Sequence, residues 1–167
     1  MKLILLMAMT ADGKIARSND HFPDWTGKAD KRMFKELTAK AGVVIMGSRT
    51  FKTLAKPLPG RLNVVMTRTP EQWQPSQNLI FTAAPPRSVL TDLAARGFSQ
   101  AILTGGATIN TLFAHENLID ELMVTMVPKI FGQGLSLFSE HLEANLDLME
   151  TKEIEPGILV LHYRFVR

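Results

Sequence analysis

The chain has 167 residues, a hydrophobic share of 46% and a formal net charge of +3. That length fits one ordinary domain, and that share of apolar residues can fill a core, which excludes a disordered chain. Its basic residues are spread out rather than run together, which gives nucleic-acid binding no support. The absence of cysteine removes disulfide frameworks, thiolate nucleophiles and Cys-ligated zinc, and is compatible with a cytoplasmic protein.

Leu3 to Thr10 reads as a central strand, apolar on both faces. The run stops at Asp12-Gly13-Lys14 with no cleavage site, which favours a strand over a signal peptide. No segment is long enough to cross a bilayer. Ala11 to Pro23 has turn chemistry and is expected to be a loop. Lys28 to Lys40 is amphipathic, with Asp30, Met33, Phe34 and Leu37 on one helical face. Val43 to Met46 is a short buried strand, broken by Gly47, and Arg49 to Ala55 continues as a helix.

Pro57-Leu58-Pro59-Gly60 is a loop, because two prolines forbid a helix interior. Leu62 to Thr67 is a β-branched strand, Thr69 to Gln77 a polar loop, and Leu79 to Thr82 a short strand. Arg87 to Arg96 is a helix ended by Gly97. Gln100 to Thr104 is a strand, Gly105-Gly106 a turn, and Ala107 to Ala114 a helix. Glu121 to Val127 is a strand halted by Pro128, and Gly132 to Gly134 lies in a loop. Leu146 to Ile154 and Ile158 to Val166 alternate apolar and polar residues about Glu155-Pro156-Gly157, which predicts an antiparallel hairpin. The order predicts one α/β domain over 1–167, with a mostly parallel sheet, helices on both faces and an antiparallel C-terminal edge.

Two strand–glycine–helix junctions, at Gly47 and at Gly105-Gly106, suit a phosphate, because free backbone N–H groups and the helix dipole meet there. Either one alone reads equally well as a plain turn. Arg49 and Arg68 follow a glycine turn and a strand end, where a guanidinium can grip a phosphate or simply lie solvated. Asp30, on an apolar face, can hold an amidine-like ring edge or help deliver a proton; a helix-start acid favouring the dipole is the plainer reading. His21, His115, His141 and His162 lack metal-ligand spacing and read as surface or strand-edge residues. Ser48, Ser136 and Ser139 form no nucleophile elbow, and Asp12, Asp20 and Asp24 lack calcium-loop spacing. No metal is expected.

Trp25, Ala29-Asp30, Phe34, Ile45-Met46-Gly47, Arg49-Thr50, Pro57 to Arg61 and Gly105-Gly106-Ala107 together resemble dihydrofolate reductase, across nearly the whole chain. Met9 to Ala16, Leu118 to Leu122 and Pro128 to Gly134 with Leu137-Phe138 resemble the related reductase domain of riboflavin biosynthesis. Both resemblances imply a dihydrofolate-reductase-like fold and hydride transfer from NADPH. They place the cofactor against Ala8, Ile15, Gly47, Ser48, Arg49, Thr50, Thr67, Arg68, Thr104, Gly105, Gly106, Ala107, Thr108 and Ile109. They place the substrate against Leu6, Ala8, Asp30, Phe34, Leu54, Leu58, Arg61 and Thr125, with Asp30 and Trp25 catalytic.

The resemblance also implies a cis peptide at the double glycine, a threonine, Thr125, that supports the acid, and an arginine, Arg61, that binds the folate tail. Gly27-Lys28 stands where Leu-Pro is common, and Ser48 where a basic residue often meets the cofactor's 2′-phosphate; Arg49 or Arg68 is the replacement. Dihydrofolate is the favoured substrate. The rivals are a ribosylaminopyrimidine phosphate, a broader pteridine, or a non-catalytic nucleotide-binding module. The partner is a small molecule, with Phe131 to Phe138 as a candidate homodimer contact.

Overall fold

The computed structural model describes residues 1–167. Ten strands and four helices follow one another as β1 (Lys2–Thr10), β2 (Lys14–Ala16), α1 (Lys28–Ala41), β3 (Val43–Gly47), α2 (Ser48–Leu54), β4 (Leu62–Met66), β5 (Leu79–Thr82), α3 (Pro86–Ala95), β6 (Gln100–Leu103), α4 (Ala107–His115), β7 (Glu121–Val127), β8 (Leu135–Ser136), β9 (Leu146–Glu155) and β10 (Ile158–Phe165). Eight strands form the main sheet in the order β5-β4-β3-β6-β1-β7-β10-β9. The first six run parallel, and β10 and β9 are antiparallel. No helix is long and apolar enough to cross a membrane.

Period-two alternation sorts the strand residues onto two faces. Leu3, Leu5, Val43, Ile45, Val64 and Leu103 face α3 and α4, where they meet Val89, Leu93, Phe113 and Ala114. Leu6, Val44, Met46, Val65 and Ile102 face the other way, toward Ala41 and Phe51, with Phe34 and Leu37 alongside. Because both faces are covered, the parallel strands are mostly apolar on both sides, with Asn63, Glu121 and Thr125 among the buried polar exceptions. Each fully buried side chain of this kind contributes about 1.5–3 kcal/mol.

Four regions differ from the sequence expectation. The segment Ala11 to Pro23 contains β2, which pairs with β8 through Lys14↔Ser136 and Ala16↔Leu135. Three residues are too short for a periodic signal. The polar segment Thr69 to Gln77 holds a short 3₁₀ turn, Pro70–Gln72, and delivers Trp73 onto Phe81, 5.0 Å between ring centres. The segment Phe131 to Phe138 contains β8, with Leu137 and Phe138 packed on the core and Phe131 on Trp25. The alternation of β9 buries neither face; Ile154 alone is partly covered, because α1 meets this edge only marginally.

One histidine also departs from the expectation. His162 lies within the sheet, and its Nε2 is 2.9 Å from Glu121 Oε2, while Lys2 Nζ is 2.6 Å from Glu121 Oε1. Burial opposes ionisation of Glu121, but the Lys2 and His162 bonds outweigh it and hold the carboxyl below the usual glutamate range. A depressed carboxyl pKa adds stability above the unfolded-state value, and that stability is lost as the pH falls through the folded-state value. Glu121→Gln is expected to cost about 1–3 kcal/mol at neutral pH, with the gap to wild type closing below about pH 4. Urea midpoints at several pH values check this, and a gap that widens in acid contradicts it.

Candidate active site

The carboxyl ends of β3, β4 and β6 lie side by side, and two turns leave them together. The Gly47 N–H donates to the Gly105 carbonyl at 2.8 Å, and the Thr104 N–H to the Ile45 carbonyl at 2.9 Å. The Gly105-Gly106 peptide is cis. Gly105 has φ 85°, and a Cβ there would stand 3.1 Å from Met7 Sδ. A Cβ at Gly47 would stand 2.8 Å from Ile109 Cγ1. Both positions therefore require glycine to keep the turns in contact.

Helix α4 starts at Gly106 with no side-chain cap, and the N–H groups of Ala107, Thr108 and Ile109 have no partner. Three uncapped amides at a helix start favour an anion, so this cradle fits a phosphate-bearing nucleotide. Ser48, Thr50 and Thr67 lie close by and are partly exposed, and Arg68 is exposed, with no ion pair. Arg49 does not project as a free fork, because its Nη1 donates to Asn19 Oδ1 at 2.9 Å. Ile15 lies in β2 and so belongs to the tied-down part of the first loop.

The other half of the site lies on the α1 face of the sheet. Ala8 on β1 is beside Thr125 on β7, which is beside Val160 on β10. Asp30, 9% exposed, leans over this row from α1. The Thr125 hydroxyl donates to Asp30 Oδ1 at 2.7 Å, and no cation pairs with the acid. Leu6, Phe34, Leu54 and Leu58 share the apolar layer next to it. Trp25 is 8% exposed, and its indole Nε1 is buried with no hydrogen-bond partner.

Arg61, just before β4, packs against α1 further along that helix, at Lys35 and Thr38. It is 6% exposed. Its Nε donates to the Pro59 carbonyl at 3.0 Å, and its Nη1 to the Lys35 carbonyl at 3.3 Å and to Thr38 Oγ1. Nη2 has no protein partner, and no carboxylate pairs with the guanidinium. Burial lowers its pKa from the usual arginine value, yet an arginine stays charged in proteins. Asp30, Phe34 and Thr38 are four residues apart in turn, so they form one line along α1. At 1.5 Å per residue the acid and the Arg61 contact are about 12 Å apart.

The description "RibD C-terminal domain" matches residues 1–160. The chain belongs to the RibD C-terminal domain family. The family's kinship with dihydrofolate reductases is visible in its relatives. Dihydrofolate reductase of Bacillus subtilis is 30% identical over 152 residues, 89% of this chain and 82% of that one. Dihydrofolate reductase type 9 of Escherichia coli is 33% identical over 133 residues, 75% and 70% of the two chains. Among solved structures, a diaminohydroxyphosphoribosylaminopyrimidine deaminase/5-amino-6-(5-phosphoribosylamino)uracil reductase of Thermotoga maritima superposes with a TM-score of 0.84 at 18% identity. It covers 99% of this chain, which spans 56% of that longer protein. At that identity the likeness shows the shared RibD C-terminal fold.

Three residues near this RibD-type site were not named as site residues from the sequence. Asn110 is fully buried; its Nδ2 donates to the Leu137 carbonyl at 2.8 Å, and its Oδ1, behind Gly105, has no partner. Asp12 accepts from Thr10, Phe131 and Gly132. Phe131 meets the edge of Trp25 at 5.0 Å. Only the polar turn Thr10-Ala11-Asp12-Gly13 hinted at one of them, since such residues bond to nearby backbone. Thr125→Val keeps the shape and removes the one donor to Asp30. It is expected to cost about 1–3 kcal/mol, read as a lower urea midpoint, whereas Thr125→Ser should retain most of the stability.

Proposed function

We propose that this protein is an NADPH-dependent reductase that converts dihydrofolate to tetrahydrofolate. The observation that carries the reading is a pair of buried, opposite and unpaired charges along one helix: Asp30 on α1, and Arg61 packed against α1 at Lys35 and Thr38. Asp30 and Arg61 are each less than a tenth exposed, and neither has an ionic partner in the chain. Leaving a buried charge unpaired costs on the order of 3–5 kcal/mol. A substrate with an amidine-like ring at one end and a carboxylate about 12 Å away along the helix meets both.

The chain's own groups divide the work. Thr125 occupies Oδ1 of Asp30, and the acid holds the ring edge by a paired, charge-assisted hydrogen bond. The orphan indole N–H of Trp25 and the acid hold a water that passes a proton to the ring nitrogen. Phe34, Leu54 and Leu58 wall the ring and exclude bulk solvent. Nη2 of Arg61 meets the tail carboxylate. The uncapped amides of α4, with Ser48, Arg49, Thr50, Thr67 and Arg68, hold the cofactor's phosphates. NADPH supplies the hydride, and the protein supplies position and electrostatics.

A second reading keeps the fold and replaces the substrate by a ribosylaminopyrimidine phosphate. The RibD C-terminal domain match favours it. Arg61 would then meet the phosphate. A broad pteridine reductase would use Asp30 but not Arg61. A non-catalytic nucleotide binder needs neither charge.

NADPH oxidation, followed by its near-ultraviolet absorbance, tests the reading with dihydrofolate, a pterin without the glutamate tail and the pyrimidine phosphate. Asp30→Asn is expected to lower kcat/KM at least about 100-fold at neutral pH; full activity would remove the role given to the acid. Arg61→Leu is expected to raise the KM for dihydrofolate roughly 10- to 100-fold and to leave the tail-less pterin almost unchanged. Equal effects on both substrates would sink the tail assignment.

A further inference from the structure

Besides the β2–β8 pairing, the first loop and the segment after β7 are tied together at two further places, and Trp25 hangs from the second. Asp12 makes the first tie. Its Oδ1 accepts from Thr10 Oγ1 at 2.5 Å and from the Phe131 N–H at 3.2 Å, and its Oδ2 accepts from the Gly132 N–H at 2.7 Å. The Ala11 N–H adds a bond to the Lys129 carbonyl at 2.9 Å, and the Lys14 N–H donates to Thr10 Oγ1 at 2.9 Å. No cation pairs with Asp12, so its charge is met by a hydroxyl and two amides. The Thr10 bond is the largest influence on its pKa; against some loss of hydration, that bond and the two amides hold the carboxyl below the usual aspartate range.

Phe131 makes the second tie. Its ring meets Trp25 edge-on, with centres 5.0 Å apart and planes at 71°. Arg17 lies over the same ring at 4.2 Å, and His21 is 5.6 Å away. Arg17 and His21 are themselves joined, since the Arg17 N–H donates to His21 Nδ1 at 3.0 Å. Trp25 is therefore held between His21, stacked 6.5 Å away, and the Phe131 ring, whose backbone is held by Asp12. The direction of its buried indole N–H follows from that placement. A catalytic donor displaced by an ångström loses about 100-fold in rate.

We propose that Asp12 is a positioning residue: by gathering the Phe131 and Gly132 amides it seats the Phe131 ring against Trp25 and fixes the direction of the indole N–H at the reacting ring. This rests on the reductase reading above. Asp12 acts through Phe131, so the two residues are not independent.

The test is a double-mutant cycle of Asp12→Asn and Phe131→Leu, read in two ways. In the ligand-free protein, the Trp25 indole N–H resonance is expected to shift in each single variant and no further in the double. Hydrogen exchange at the Phe131 and Gly132 amides is expected to speed up in Asp12→Asn but not in Phe131→Leu. In turnover, each single variant is expected to lower kcat roughly 10- to 100-fold with KM changed less than about threefold, and the double to match the worse single. An unmoved indole resonance overturns the proposal, whether or not the wild type reduces dihydrofolate. Losses that multiply in the double variant overturn it too. A wild type that binds NADPH and turns over no substrate defeats the reductase reading instead, and the resonance cycle still decides whether Asp12 seats Trp25. If Asp12→Asn fails to fold, Phe131→Leu with its amides still protected reads the same resonance and the same kcat.

Discussion

A carboxylate set in an apolar wall is tolerated only if its charge is met. Asp30 has one hydroxyl for one oxygen and no ion pair. The neighbouring elements are arranged around that constraint. β7 must run beside β1 so that Thr125 lies under the acid, and α1 must cross at the height that brings Asp30 over it. The same helix then carries Phe34 and Thr38, and Thr38 fixes Arg61. One buried charge thus sets the position of the other, and the space between them has a length and a polarity before any ligand enters.

The second half of the site depends on backbone rather than charge. Gly47 and Gly105 bring two turns close enough for a direct amide–carbonyl bond. That closeness points the free N–H groups of α4 outward beside the ends of β3 and β6. This RibD C-terminal domain therefore builds one half of its site from side chains and the other from main chain. The side-chain face can change its substrate by a few substitutions, whereas the main-chain face is constrained by packing against Met7 and Ile109.

Much of this was legible in the chain itself, because the signals were strong and local. The parallel strands were readable as runs apolar on both faces, and the helices by their periodicity. Asp30 stood out as an acid among Met33, Phe34 and Leu37, and the two turns stood out by their glycines. The missed features share a different property: each depends on a partner distant in sequence. Asp12 meets Phe131 and Gly132 across roughly 120 residues of chain. β2 and β8 are too short to show a period. His162 reads as a strand-edge residue until the fold brings Glu121 and Lys2 beside it. Arg61 was legible as a basic residue after a proline loop, but its inward turn toward Pro59, Lys35 and Thr38 was set by the tertiary fold.

The uncovered strand β9 has a consequence for how the molecule behaves at high concentration. It has a neighbour on one side only, and its other side offers unpaired backbone groups to any passing chain. Asp147, Glu150, Glu153 and Glu155 put four negative charges on this border against the one positive charge of Lys152. Register shifts beside Ile158 and His162 bend the pairing that supports it. A second strand approaching this border would meet repulsion and a twisted template. The border is thus guarded against runaway sheet growth, although Leu146, Leu148 and Met149 make it greasy.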